Sequence, residues 1–187
     1  SKGQIILVQI VKEERGNKGA ALTSYLSLAG RYCVLMPNTP KGGGISRKIS
    51  ISTDRQRLKK VLEGLNLDKG MALIIRTAGS KRTKVEIKRD FQNLISMWED
   101  IKNKTIKSNA PNLIHDEGSI IKRAVRDMYN SDVEEILVQG EIAFKTCKSY
   151  MKLLMPSHTK KIQQYIDDNI LLFQKFGIDT QLSDIFK

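Results

Sequence analysis

The chain has 187 residues, 40% of them hydrophobic, and its 32 Lys and Arg against 20 Asp and Glu give a net charge of +12. This length predicts one domain or two small ones, with enough apolar residues for a core. Charges interrupt every apolar run well short of about 18 residues, so we predict no membrane span. The two cysteines, Cys33 and Cys147, exclude a disulfide framework and indicate a reducing compartment.

The positive charge is concentrated in one part of the chain. Residues 31–90 hold fifteen basic and five acidic residues (+10), residues 1–30 hold four and two (+2), and residues 91–187 hold thirteen of each (0). A basic segment joined to a neutral one indicates that the basic part contacts a polyanion and the neutral part supports it. A basic surface that serves only solubility is the alternative.

Hydrophobic periodicity and turn residues predict the elements of the first part. In chain order these are a buried strand at 4–11, strands at 21–30 and 31–37, a loop at 37–44, a helix at 54–65, a strand at 71–77 and a helix at 88–107. Asp54 is the predicted N-cap of the first helix. Trp98 lies on the apolar stripe of the second, where a core position is more common than a ligand position.

A boundary is predicted near residues 108–115, where Pro111 stands among polar residues and a short strand follows. Beyond it, Ser119 begins a helix that reaches Met128. A strand at 134–139 and a helix at 141–154 come next. This alternation of strands and helices predicts a small α/β lobe.

No set of residues typical of catalysis is visible. The two histidines, His115 and His158, stand in no motif that fixes a role for them. Acidic pairs such as Glu134-Glu135 are adjacent, so their side chains diverge and do not converge on a Mg²⁺ ion. We therefore assign no catalytic and no metal-binding residue.

The clearest binding signal is Arg76-Thr77-Ala78-Gly79, which follows the predicted strand at 71–77. An arginine fork matches phosphate oxygens, threonine adds a hydroxyl, and small residues allow close approach to the backbone. This pattern suits a terminal phosphate. A plain turn with a solvated arginine is the alternative reading of these four residues.

Three longer segments resemble the ribonuclease E/G family of bacterial endoribonucleases. They are KEERGNKGAALTSYLSLAGRYCVLMPNTPKGGGISRKI at 12–49, GMALIIRTAG at 70–79 and NLIHDEGSIIKRAVRDM at 112–128. The resemblance covers essentially the whole chain. It implies an α/β (α+β) fold with the end of an OB-type RNA-binding barrel at 1–30, a 5′-sensor domain at 31–109 and part of a ribonuclease-H-like lobe at 110–187.

The resemblance also implies which residues bind RNA. Arg76 and Thr77 match the 5′-monophosphate pocket of the family, and Gly30 and Val34 match residues that line it. Arg47 matches a basic residue near that pocket, and Lys12 and Lys18 match barrel residues on the RNA path. The expected partner is single-stranded RNA with a 5′-monophosphate.

For the parent enzyme, the resemblance implies a homo-oligomeric, Mg²⁺-dependent endoribonuclease of RNA processing and decay, in the bacterial cytoplasm or a bacterial-type organelle. The Mg²⁺-binding aspartates and the zinc-sharing cysteine pair of the family are expected outside these residues, so we expect no cofactor and no cleavage in this chain. Two alternatives remain open. One is a stand-alone basic nucleic-acid-binding module without end sensing, and the other is a structural domain with incidental charge.

Overall fold

The computed structural model describes residues 3–40, 43–117, 119–167 and 169–186. Lys41 and Gly42, in the predicted loop, lie outside the described residues. The chain divides into two compact units, Ser1–Asp116 and Glu117–Lys187. Both contain helices and strands, which confirms the mixed α/β class. Within the described ranges, no helix is long and apolar enough to cross a membrane.

The first unit contains a two-stranded ribbon and a four-stranded sheet. Its strands are β1 (Gln9–Lys12), β2 (Ala21–Thr23), β3 (Leu28–Ala29), β4 (Cys33–Met36), β5 (Gly44–Ile45) and β6 (Ala72–Ile75). β1 and β2 form the antiparallel ribbon, and the sheet has the order β3-β4-β6-β5. β4 is antiparallel to both of its neighbours, whereas β5 runs parallel to β6.

Two helices, α1 (Ser52–Glu63) and α2 (Lys84–Lys107), contribute to the core of this unit. Side chains alternate along β4, so Cys33 and Leu35 are buried while Val34 and Met36 are half-buried. The buried face of the sheet packs with helix residues that recur at helical spacing: Leu58 and Val61 of α1 and Ile87, Phe91, Leu94 and Ile101 of α2. Trp98 packs against this core, as predicted.

The second unit is built around a parallel strand pair. Its elements are α3 (Ile120–Arg123) with a π-helical turn at Ala124–Met128, β7 (Ile136–Gln139), α4 (Glu141–Leu154), a 3₁₀ segment at Pro156–Lys161, β8 (Ile162–Tyr165), α5 (Leu172–Lys175) and α6 (Ile178–Ile185). Ser119 caps α3, as predicted. β7 and β8 pair in parallel, with α4 as the crossover between them.

Several predicted elements differ in the structure. The apolar run at 4–11 forms a strand only from Gln9, and Ile5 and Ile6 are 74% and 64% exposed. A β-branched run favours a strand, but its burial requires a packing partner, and β1 pairs with β2 alone among the described strands. The first helix begins earlier than predicted, with Ile51 as N-cap, and Asp54 lies in its first turn.

The second unit holds two further differences. Residues 112–117 form no strand, so the short strand predicted there is wrong. β8 is a strand that sequence reasoning missed. Two of its four residues, Gln163 and Gln164, are polar, and the buried Ile162 and Tyr165 stand three residues apart, so no alternation of apolar and polar residues marks this strand in the sequence.

Candidate nucleic-acid interface

The turn between β3 and β4 is held by a buried carboxylate from α2. Asp90 is only 3% exposed. Its Oδ1 accepts the N–H of Arg31 at 3.0 Å, and its Oδ2 accepts the N–H groups of Tyr32 and Cys33, each at 2.8 Å. Burial raises the pKa of the Asp90 carboxyl, although the three N–H donors and the nearby Arg76 guanidinium favour the charged form. This side chain therefore satisfies three consecutive N–H groups at once.

Arg76 binds the same turn from the end of β6. Its Nη1 donates to the carbonyl oxygen of Gly30 at 2.6 Å and, more weakly, to that of Arg31 at 3.4 Å. Its backbone N–H donates to the carbonyl of Tyr32 at 2.8 Å. The side chain and the main chain of Arg76 are thus both fixed by the β3–β4 turn.

Two glycines are required by close approach at this place. A Cβ at Gly30 would lie 2.5 Å from Oδ2 of Asp90, so the carboxylate occupies the space of a side chain. A Cβ at Gly79 would lie 2.9 Å from Cγ2 of Ile75 and 3.2 Å from the carbonyl oxygen of Tyr32. The small residue at 79 lets the turn after β6 pack against the β3–β4 turn.

Further arginines surround Tyr32. The guanidinium carbons of Arg31 and Arg82 lie 5.5 and 5.6 Å from the centre of its ring, a cation–π geometry. Arg57, on α1, donates to the carbonyl oxygens of Arg82, at 2.7 Å, and of Ser80. Arg57 thereby ties the segment after β6 to α1, and several positive groups collect at this end of the sheet.

The structure brings the principal predicted residues to one end of the sheet. Arg76 contacts Gly30 directly, and Thr77, which is exposed, begins the 3₁₀ turn Thr77–Gly79. Val34 is paired with Ala29 on one side and with Ile74 on the other, so its backbone faces neighbouring strands. Its half-buried side chain is the part that a ligand can contact.

The other predicted RNA-binding residues, Arg47, Lys12 and Lys18, lie on other elements. Arg47 is exposed just after β5, which pairs with β6 so that Ile45 lies opposite Ile75, one residue before Arg76. Lys12 and Lys18 are exposed on the β1–β2 ribbon, where Lys18 forms part of a tight turn with Arg15. They are separate from the turn that Arg76 and Asp90 share.

Sequence reasoning missed Asp90, Tyr32 and Arg57. A signal for Asp90 was present, because it stands three residues after Ile87 and four before Leu94, on the apolar stripe of α2. An acid on that stripe is expected to be buried and paired, since isolated buried charges are costly. The contacts of Tyr32 and Arg57 depend on tertiary packing and left no comparable signal.

The described residues do not offer a fit for the metals that the resemblance implies. Nowhere in the described ranges do three His, Cys, Asp or Glu side chains gather as a possible metal site. In the second unit, Arg126 pairs with Glu117 at 3.3 Å and with Asp127 at 3.0 Å, so these carboxylates are engaged by a cation. We derive no step through Mg²⁺ or Zn²⁺ here.

Comparison of the sequence with known proteins places this chain in a family. The family model described as "Ribonuclease E/G family" matches residues 27–187. Ribonuclease E of Haemophilus influenzae is 42% identical over 186 residues, covering 100% of this chain and 20% of that protein. Ribonuclease E of Escherichia coli is 43% identical over 187 residues, covering 100% of this chain and 17% of that protein.

A ribonuclease G is similar as well. That of Haemophilus influenzae is 30% identical over 181 residues, which cover 97% of this chain and 36% of that protein. The chain belongs to the ribonuclease E/G family. It spans about a fifth of the length of the two ribonucleases E.

Proposed function

We propose that this chain is the RNA-binding, 5′-end-sensing part of an endoribonuclease of RNA processing and decay. In this proposal its ligand is single-stranded RNA that carries a 5′-monophosphate. The observation that carries the proposal is the contact between Arg76 and the Gly30 carbonyl, at 2.6 Å. This contact orients an arginine at the end of a strand, within residues 31–90, whose net charge is +10.

The proposed mode of binding follows from the chemistry of these side chains. The guanidinium of Arg76 and the exposed hydroxyl of Thr77 donate to the terminal phosphate. The side chain of Val34 supplies apolar contact to the end nucleotide. Exposed lysines of residues 31–90 bind the following phosphates through salt-dependent contacts that carry no sequence information.

Fluorescence anisotropy with three short RNAs of one sequence tests the proposal. The first has a 5′-monophosphate, the second a 5′-hydroxyl, and the third a 5′-hydroxyl with a 3′-monophosphate, which matches the charge of the first. We expect tighter binding of the first than of both others. Equal binding of all three RNAs supports a basic module without end sensing. The absence of salt-dependent RNA binding supports a structural domain with incidental charge.

The parent enzyme enters only as part of this proposal. The names of the relatives and the family support a ribonuclease role for the protein to which these residues belong. Mg²⁺ dependence, a shared zinc, homo-oligomerisation and a bacterial-type cytoplasmic location are proposed for that parent on the resemblance. For the chain itself we propose no cleavage, and RNA turnover with Mg²⁺ by nuclease-free protein would contradict this.

A further inference from the structure

We infer that Asp90 is a positioning residue for end recognition: its carboxylate fixes the β3–β4 turn, and the turn orients the guanidinium of Arg76 toward the RNA end. The inference rests on the proposed function. Asp90 itself touches no ligand in this scheme. It acts through backbone atoms that Arg76 binds.

The β3–β4 turn is closed by the hydrogen bond from the Gly30 N–H to the Cys33 carbonyl, at 2.8 Å. The next three N–H groups point inward to the two oxygens of Asp90, at 2.8–3.0 Å. Consecutive N–H groups that converge in this way form an anion-binding concavity, and here the protein supplies the anion itself.

One peptide group links that concavity to Arg76. The N–H of Arg31 and the carbonyl of Gly30 belong to this single group, which is planar. Asp90 binds its N–H at 3.0 Å and Arg76 binds its oxygen at 2.6 Å. Because the peptide is rigid, the carboxylate sets the direction of the carbonyl and therefore the place where Nη1 is held.

Simple charge neutralisation does not account for this arrangement. A carboxylate that only neutralised a nearby cation would not need three backbone donors or a glycine at its contact point. At Gly30 a Cβ would come within 2.5–2.9 Å of all three atoms of the Asp90 carboxylate group. The turn, the glycine and the acid therefore form one unit that ends at the guanidinium.

The test is Asp90→Asn in the full chain, because the amide keeps the size of the side chain but turns one acceptor into a donor. Asp100→Asn is the matched control, since Asp100 lies on the same helix and is exposed. We expect Asp90→Asn to reduce the preference for 5′-monophosphate over 5′-hydroxyl RNA by about tenfold, a change that one charge-assisted hydrogen bond accounts for. The affinity of Asp90→Asn for the hydroxyl RNA should stay near that of the wild type. The Asp100→Asn control should keep the wild-type preference.

A double variant separates positioning from a direct effect. If Asp90 acts through Arg76, Asp90→Asn with Arg76→Gln loses no more preference than Arg76→Gln alone. Additive losses of preference in the double variant would overturn the inference. It would also be overturned if Asp90→Asn kept the wild-type ratio of monophosphate to hydroxyl binding while Arg76→Gln lost it. A wild-type ratio in Arg76→Gln would instead overturn the proposed function.

Circular dichroism and thermal unfolding establish whether Asp90→Asn folds. If it does not, amide NMR of the wild type supplies the test. The monophosphate RNA should shift the amide signals of Arg31, Tyr32 and Cys33, and the hydroxyl RNA should not. Unchanged signals with both RNAs would show that the turn is not coupled to end binding.

Discussion

Asp90 and Arg76 bind opposite ends of a single peptide group, the one that joins Gly30 to Arg31. The acid accepts its N–H at 3.0 Å and the arginine donates to its carbonyl at 2.6 Å. The two side chains come from different elements, α2 and the end of β6, and meet at a turn between two other strands. The position of the proposed phosphate-binding arginine is thus a property of the whole unit rather than of one loop.

Replacement of Arg76 by glutamine should remove most of the preference for a 5′-monophosphate and leave general RNA binding in place. Each charge-assisted hydrogen bond of the guanidinium to phosphate is worth about 1.5–3 kcal/mol, so discrimination of roughly tenfold or more should disappear. Anisotropy with the monophosphate and hydroxyl RNAs measures the ratio.

Three variants control this experiment. Arg123→Gln removes an exposed arginine from the second unit and should keep the ratio. Arg76→Lys retains the charge without the fork and should retain part of the preference. Thr77→Val removes one neutral hydrogen bond of about 0.5–1.5 kcal/mol and should cost less than Arg76→Gln. If Arg76→Gln keeps the wild-type ratio, the phosphate site is not at this turn.

Gly30→Ala should destabilise the first unit, because its Cβ would lie 2.5 Å from the Asp90 carboxylate. Overpacking of a tight site costs typically about 1–3 kcal/mol, and urea unfolding should show a loss of that size. Gly19→Ala is the control, since a Cβ there meets nothing within 4 Å. Equal stability of the two variants would mean that the acid can move away without cost.

Sequence reasoning reached the elements whose pattern is local. The stripe Phe91, Leu94, Trp98 and Ile101 predicted the longest helix, which begins at Lys84, four residues before the predicted start. The strand before Arg76 and the small-residue turn after it were likewise predicted, because an apolar run and a turn residue act within a few positions.

The remaining features depend on contacts between distant residues. Asp90 binds the turn at 31–33 across 57 to 59 positions, and no local pattern encodes that pairing. Ile5 and Ile6, which precede β1, are exposed. Their burial would require other elements to pack against them, and β-propensity does not predict such contacts. The second strand of the parallel pair, β8, has no local strand pattern because two glutamines stand at its centre. It is defined by its pairing with β7.

A stabilising contribution from the N-terminus of α2 should be lost at acid pH. Thr83 and Glu86 form a capping box, in which Oε2 of Glu86 accepts the Thr83 N–H at 2.8 Å. Burial raises the pKa of Glu86, but the Thr83 hydrogen bonds and then Arg82 and Arg89 outweigh it, so the pKa lies below its ordinary value of 4.5. The native state therefore binds fewer protons than the unfolded state near that pH.

The sign of the effect follows from this lowered pKa. The contribution of Glu86 is present above pH 4.5 and is lost as pH falls through its folded-state pKa. Glu86→Gln should be less stable than wild type at pH 7 by about 0.5–1 kcal/mol, and the difference should shrink in acid. Urea unfolding across pH measures it, with exposed Glu63→Gln as control. A difference that is constant with pH would contradict the assignment.

General RNA affinity should depend on lysines of the basic segment and not on those of the neutral one. Lys59 and Lys60 are exposed near the end of α1, so Lys59→Glu with Lys60→Glu replaces two positive charges with two negative ones at exposed positions. Affinity for both RNA ends should fall. The slope of log affinity against log salt should become shallower by about 0.7 for each phosphate of the single strand that the variant no longer binds.

The control pair must carry the same charge change at exposed positions. Lys161 is unsuitable, because it donates to the carbonyls of Ser131 and Val133 at 2.9 and 2.6 Å and supports the fold. Lys152→Glu with Lys160→Glu meets the requirement, since both side chains are exposed in the second unit. We expect this pair to retain affinity and salt slope. Equal losses from both pairs would mean that RNA responds to total charge, and that the concentration of positive charge between residues 31 and 90 has no role in binding.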